Sequence, residues 1–168
     1  DGAIDECSRC IADHPSAECL ARRAALYADS GSCSAWSQSL SLYANAINDW
    51  EEVIRCSGEE NEWLGRAHFS IAQLLQLSSK YEDAEVEYST SIGFAEYAMP
   101  SRFQRAKCLR ELARWTEALD ELDRYESAGG SMNEEVYLLR ADVRVHLGDS
   151  DGAIDECSRC IADHPSAE

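Results

Sequence analysis

Apolar residues recur along this chain at intervals of three and four, as in Ile71, Leu74 and Leu75 and again in Leu109 and Leu112. That interval marks one face of a helix. No alternating run long enough for a strand is present. The pattern predicts helices over about 1–13, 17–30, 43–56, 62–78, 81–96, 100–112, 115–127, 134–147 and 151–163. Each carries a single apolar stripe. A pair of such helices cannot bury both stripes alone, so neighbours must stack. The expected architecture is all-α, an α-solenoid of antiparallel helix pairs with one continuous core.

Repetition sharpens this picture. Residues 1–18, DGAIDECSRCIADHPSAE, return unchanged as residues 151–168. Two readings follow: a longer array with a 150-residue period, or a terminal helix copied from one end to the other. A finer period lies inside. Ala3, Ala46, Ala84, Ala118 and Ala153 are spaced by 43, 38, 34 and 35 residues. A second small residue stands twelve before three of these, at Ala72, Ala106 and Ala141, with Ala24 as the displaced counterpart before Ala46. Small residues at such positions let two helix backbones approach closely.

In this alanine ladder, in Tyr43, Tyr81 and Trp115 at the turns, and in the closing Pro15 and Pro165, the chain resembles the tetratricopeptide-repeat family, whose unit is about 34 residues. The match spans nearly the whole chain. Ser79 and Ala113 depart from the turn glycine kept at Gly31 and Gly148. The resemblance implies a right-handed superhelix of about four repeats: a lone second helix at 1–18, then repeats at 19–58, 59–98, 99–132 and 133–168. The first repeat carries an insertion over 32–42, SCSAWSQSLSL, expected to form a loop, with Trp36 resting on the solenoid or serving a specific contact.

The formal charge of −17 argues against nucleic acid and against anionic membranes as partners. No apolar run has membrane length and no signal-peptide pattern is present. Of eight cysteines, Cys7 and Cys10 form a C-x-x-C pair within a helix, copied as Cys157 and Cys160. Zinc would need two further ligands, and no second such pair or HxxxH exists outside the copy. A redox pair would open a helix after a strand. Small packing residues are therefore expected, with no metal and no cofactor. Scattered thiols point to a reducing, cytoplasmic setting. His14 and His164 stand at helix ends, and His68 and His146 belong to no motif. Nucleophile elbow, phosphate loop and paired catalytic carboxylates are all missing, so an enzyme is not expected.

The basic residues are distributed unevenly. Ten of the fifteen fall on predicted first helices: Arg22, Arg23, Arg66, Arg102, Arg105, Lys107, Arg110, Arg114, Arg140 and Arg144. The resemblance places first helices along a concave groove that takes extended peptides or helices of other proteins. It implies a peptide-binding set of Arg66, Phe69, Gln73, Arg102, Phe103, Lys107, Arg110 and Leu138, suited to an acidic peptide because a guanidinium can grip a carboxylate with two bonds. The alternative is that these cations pair with acids on adjacent helices. The carboxylate clamp of chaperone-binding relatives is not expected. Arg-Ala recurs at Arg23-Ala24, Arg105-Ala106 and Arg140-Ala141, but the clamp asparagine is missing and Ala21 and Ala25 stand where Lys and Asn would be needed. The functional expectation is a non-enzymatic protein-interaction scaffold. The alternative is a structural array of 150-residue units, a fibre or long spacer, assembled by end-to-end self-association.

Overall fold

The structure is a computed structural model that describes residues 2–13, 16–33, 36–57 and 63–164, with the side chains of Trp36 and Ser37 excepted. Among these residues every regular element is a helix: α1 (Gly2–Asp13), α2 (Ala17–Ser32), α3 (Trp36–Cys56), α4 (Trp63–Leu77), α5 (Tyr81–Ser91), α6 (Ala95–Glu111), α7 (Trp115–Ser127), α8 (Glu134–His146) and α9 (Ser150–Asp163). The chain forms two compact units, Asp1–Tyr97 and Ala98–Glu168. Pro15, Pro165, His14 and the side chain of Trp36 lie outside the described residues. No helix among those described is long and apolar enough to cross a membrane.

Helix starts and stops follow local chemistry. Ser16, Asn133 and Asp149 cap α2, α8 and α9 by accepting from the backbone N–H three residues on, which satisfies a donor that would otherwise be orphaned. Four helices end in the same way. The N–H groups of Lys80, Arg114, Gly130 and Asp149 each reach back five residues, and those of Ser79, Ala113, Gly129 and Gly148 reach back three. This is the Schellman stop, whose turn residue is left-handed. Glycine holds it at Gly129 and Gly148, whereas Ser79 (φ 59°) and Ala113 (φ 55°) take it against the steric cost of a Cβ.

Three boundaries differ from the sequence pattern. The expected loop at 32–42 is helical from Trp36, so the insertion lengthens α3 by about two turns. Its anchor is Gly31, which belongs to α2 and is not a turn residue. The bare Cα of Gly31 admits the Tyr43 ring, and its carbonyl accepts from the buried Ser39 hydroxyl at 2.7 Å. Helix α5 stops at Ser91 because the chain turns at Ile92–Gly93, and α6 begins at Ala95, which places Pro100 within the helix.

In the first unit the core is built from Leu20, Ala24, Ala46, Trp50 and Val53 between α2 and α3, and from Ala67, Ile71, Ala72, Ala84 and Tyr88 between α4 and α5. In the second, Ala106, Leu109, Ala118, Leu122, Val136, Leu139 and Val143 form one cluster. Every alanine of the ladder in α2 to α9 is buried, so the backbones do meet there.

A charge ladder accompanies the alanines. Three residues after the alanine of each second helix stands an acid: Asp49, Glu87, Glu121 and Glu156. The first helix of the same pair supplies a partner, an arginine in three pairs and a histidine in the fourth. Arg23 grips Asp49 with bonds of 2.6 and 2.8 Å, and the hydrogen bond outweighs burial in raising the arginine's pKa. Arg105 and Arg102 bind Glu121 at 2.8 and 2.7 Å. Arg140 binds Glu156 at 3.0 Å. In the second repeat Ile71 stands in the arginine's place, and His68 one turn earlier meets Glu87 at 2.7 Å. The Arg-Ala recurrence is thus a structural bridge across three of the four helix pairs. Arg140, with only 5% of its side chain exposed, also holds Asp123 and Glu126.

Three outcomes are expected. Ala113→Gly relieves the left-handed turn and stabilises the chain by about 0.5–1 kcal/mol, read as a higher denaturant midpoint, whereas Gly148→Ala lowers it comparably. Glu156→Ala takes from buried Arg140 one of its three acid partners, leaving Asp123 and Glu126, and costs about 1.5–3 kcal/mol, whereas the identical change at its exposed copy, Glu6→Ala, stays within about 0.5 kcal/mol. The hydrogen bond from Arg159 holds the Glu126 carboxyl below the usual carboxylate range, with the charge of Arg140 assisting. A carboxyl lowered by folding stabilises above its unfolded value of about 4.3 and loses that contribution as pH falls toward the folded value. Melting temperature should therefore drop on acidification below about pH 4, and less steeply in Glu126→Gln.

Candidate protein-binding surface

The structure divides the eight candidate residues by what their side chains touch. Lys107, Arg110 and Leu138 come together around a hollow of about 190 Å3 that Glu135 and Leu139 complete. Leu138 is half exposed and gives the hollow an apolar wall. Lys107 donates to Glu135 at 2.9 Å, and Arg110 reaches Glu111 at 2.5 Å and Asp142 at 3.7 Å. All three acids are exposed to solvent, and such pairs contribute only about 0–1 kcal/mol each. A ligand carboxylate could replace them at small cost.

Arg102 and Phe103 are differently occupied. Arg102 turns to α7, where it and Arg105 neutralise Glu121, a carboxylate with 1% of its side chain exposed. Withdrawing it would uncover a buried charge. Phe103 tilts against Tyr125 at 5.7 Å and packs on the core cluster, with Lys107 Nζ lying 5.5 Å from its ring centre. Phe69 is also packed, edge-on to Tyr88 at 5.8 Å and tilted on Tyr97 at 5.5 Å. Gln73 is exposed on α4.

Arg66 lies in the first unit, beside aromatic rings that the periodicity had assigned no role. Its guanidinium lies 5.4 Å from the Trp63 ring centre and 5.7 Å from that of Trp50. It borders a hollow of about 230 Å3 with Glu18, Ala21, Arg22, Ala25 and Trp63. Among the described residues neither Arg22 nor Arg66 makes an ion pair. The small side chains of Ala21 and Ala25 line this hollow. The i, i+3 spacing of Trp63 and Arg66 was a usable signal, since those positions share a helix face.

The three described histidines have structural partners. His68 stacks on Phe94 as it binds Glu87, His146 stacks on Trp115 at 4.1 Å, and His164 contacts the Met132 carbonyl at 3.0 Å. No group of three or more metal-ligating side chains occurs among the described residues. The cysteines correct one expectation. Cys10 is joined to Cys19 in a disulfide that ties α1 to α2, so it is more than a packing residue. Cys7, Cys33, Cys56, Cys108, Cys157 and Cys160 are free thiols.

No protein-family model and no curated protein sequence matches the chain. Solved structures do. The crystal structure of MamA superimposes with a TM-score of 0.81 at 13% identity, covering 96% of this chain and 86% of that one. The C-terminal part of a TPR repeat-containing protein from Cytophaga hutchinsonii gives 0.78 at 12% identity, covering 96% and 58%. YrrB, a TPR protein with an unusual peptide-binding site, gives 0.61 at 15% identity, covering 98% and 95%. At these identities the likeness is one of fold: the chain has the all-α helical-repeat fold of the tetratricopeptide-repeat proteins.

Proposed function

We propose that the chain is a non-enzymatic protein-interaction scaffold that binds an acidic peptide or protein segment on its first helices. The observation that carries this reading is the hollow where Lys107 and Arg110 stand over the exposed Leu138, their acid partners among the described residues being solvent-exposed and replaceable. Cationic heads above an apolar wall suit a segment that alternates acidic and aliphatic side chains. The Arg22–Arg66–Trp63 hollow of the first unit offers the same chemistry and is treated as a second, separate contact. YrrB, which shares the fold, is a TPR protein with a peptide-binding site. The repeats at 19–58, 59–98, 99–132 and 133–168 are proposed as the modules of this scaffold, on the strength of the recurring alanine crossing and ion bridge. The cytoplasmic placement is proposed on the six free thiols.

The test is fluorescence anisotropy with labelled peptides drawn from an acidic–aliphatic library. Lys107→Ala with Arg110→Ala should raise Kd at least tenfold, about 1.4 kcal/mol, within the range of about 1.5–3 kcal/mol for a hydrogen bond to a charged group. Binding should weaken with salt. The same Kd for parent and double variant on every peptide that binds would overturn this reading.

A further inference from the structure

The hollow between α2 and α4 differs in charge from the one between α6 and α8, and the alanine ladder sets the comparison. Arg66 stands six residues before Ala72, and Glu135 stands six residues before Ala141. In the second unit Glu135 lines its hollow and takes the Lys107 ammonium at 2.9 Å. In the first unit the same register position carries a guanidinium, and Arg22 enters that hollow from α2. Where one hollow has an acid to quench its cation, the other has a second cation.

The chain leaves both guanidiniums available. Arg22 and Arg66 are exposed, and neither makes an ion pair among the described residues. Glu18 lines the same hollow, one turn before Arg22 on the same helix, yet among the described residues it pairs with neither. Arg66 is held by rings instead. Its guanidinium lies 5.4 Å from the ring centre of Trp63 and 5.7 Å from that of the buried Trp50. Ring faces attract the cation but bring no acceptor oxygen, so the N–H fork stays open. They also restrict the side chain in advance, so less freedom is lost when a ligand is gripped.

We infer that this hollow binds a phosphorylated side chain carried by a partner peptide. A carboxylate brings one charge and two oxygens, and a single guanidinium fork takes both. A phosphomonoester brings a charge of about −1.5 to −2 and three acceptor oxygens at neutral pH, enough for one fork from α2 and another from α4. The lining sets two cations against one acid, and its pull on an anion doubles with the anion's charge. Ala21, Ala25 and Trp63 supply apolar wall for the carbon stem that carries the phosphate. That a peptide carries the phosphate rests on the scaffold reading above; that the anion is a phosphate rests on this hollow alone.

The test uses the 168-residue chain and a peptide library with a central phosphoserine between randomised positions. Each peptide that binds is compared, by fluorescence anisotropy, with its serine and glutamate counterparts. Phosphoserine should lower Kd about tenfold or more relative to serine, and glutamate should recover only part of that gain. The gain should grow as pH rises through about 6, where the second phosphate proton leaves. Glu18, Arg22 and Arg66 are the charged groups that face the phosphate, and no histidine lines the hollow.

Arg22→Ala and Arg66→Ala should each remove most of the gain while leaving the serine peptide nearly unaffected. Arg66→Lys should lose it too, because the charge remains but the fork does not. Glu18→Gln should enlarge it. All three side chains are exposed, so the melting temperature should hold in every variant. Lys107→Ala with Arg110→Ala should leave the phosphate gain intact even where the peptide itself binds less well, which separates this site from the hollow of the second unit. Four outcomes overturn the inference: no peptide bound more tightly with phosphoserine than with serine; glutamate bound as tightly as phosphoserine; a gain that survives both arginine variants or vanishes with the Lys107–Arg110 pair; or displacement of the peptide by an equal concentration of inorganic phosphate, which would make a free anion the occupant.

Discussion

A buried bridge between the two helices of a pair is the contact on which the rest of this structure depends. The alanines bring the backbones close enough to exclude water, and that closeness strands any polar group at the crossing. An acid set one turn past the alanine then has to be met from the first helix. Arg23 with Asp49, Arg105 with Glu121 and Arg140 with Glu156 meet this requirement. A buried pair of this kind adds little over an apolar substitute but is costly to break. It therefore fixes register and partner choice more than it adds stability.

The bridge also decides which cations remain for function. A chain with charge −17 has many carboxylates competing for fifteen basic residues. Those opposite a buried acid, Arg102 and Arg105 among them, are structural. Those opposite exposed acids, Lys107 and Arg110, are held loosely. Arg66 is set apart by two tryptophans that surround its guanidinium with ring faces instead of carboxylates. Candidate binding chemistry sits where the bridge does not reach.

The same rule accounts for the divergence of two identical segments. Glu156 is buried where α8 supplies Arg140, whereas Glu6, its copy in α1, is exposed. Sequence sets what a helix can bury, and its neighbours set what it does bury.

Helix number, the stacking of pairs and the alanine ladder were legible in the sequence, because a period of 3.6 residues and a recurring small residue are local properties. So was the departure of Ser79 and Ala113 from glycine, though not that both would hold a left-handed turn. The extension of α3 over 36–42 was not legible, because a serine-rich stretch becomes helical there only where Gly31 leaves room for Tyr43. The Cys10–Cys19 bond was hidden too, since it depends on how α1 lies across α2. The candidate surface was read in part. Lys107, Arg110 and Leu138 are brought together, but Arg102, Phe69 and Phe103 are drawn inward by Glu121, Tyr88 and Tyr125. Sequence alone determined which residues are cationic, small or apolar at each helical position. Only the tertiary structure decided which cations face an acid, because that depends on the residue across the crossing and not on the one beside it in the chain.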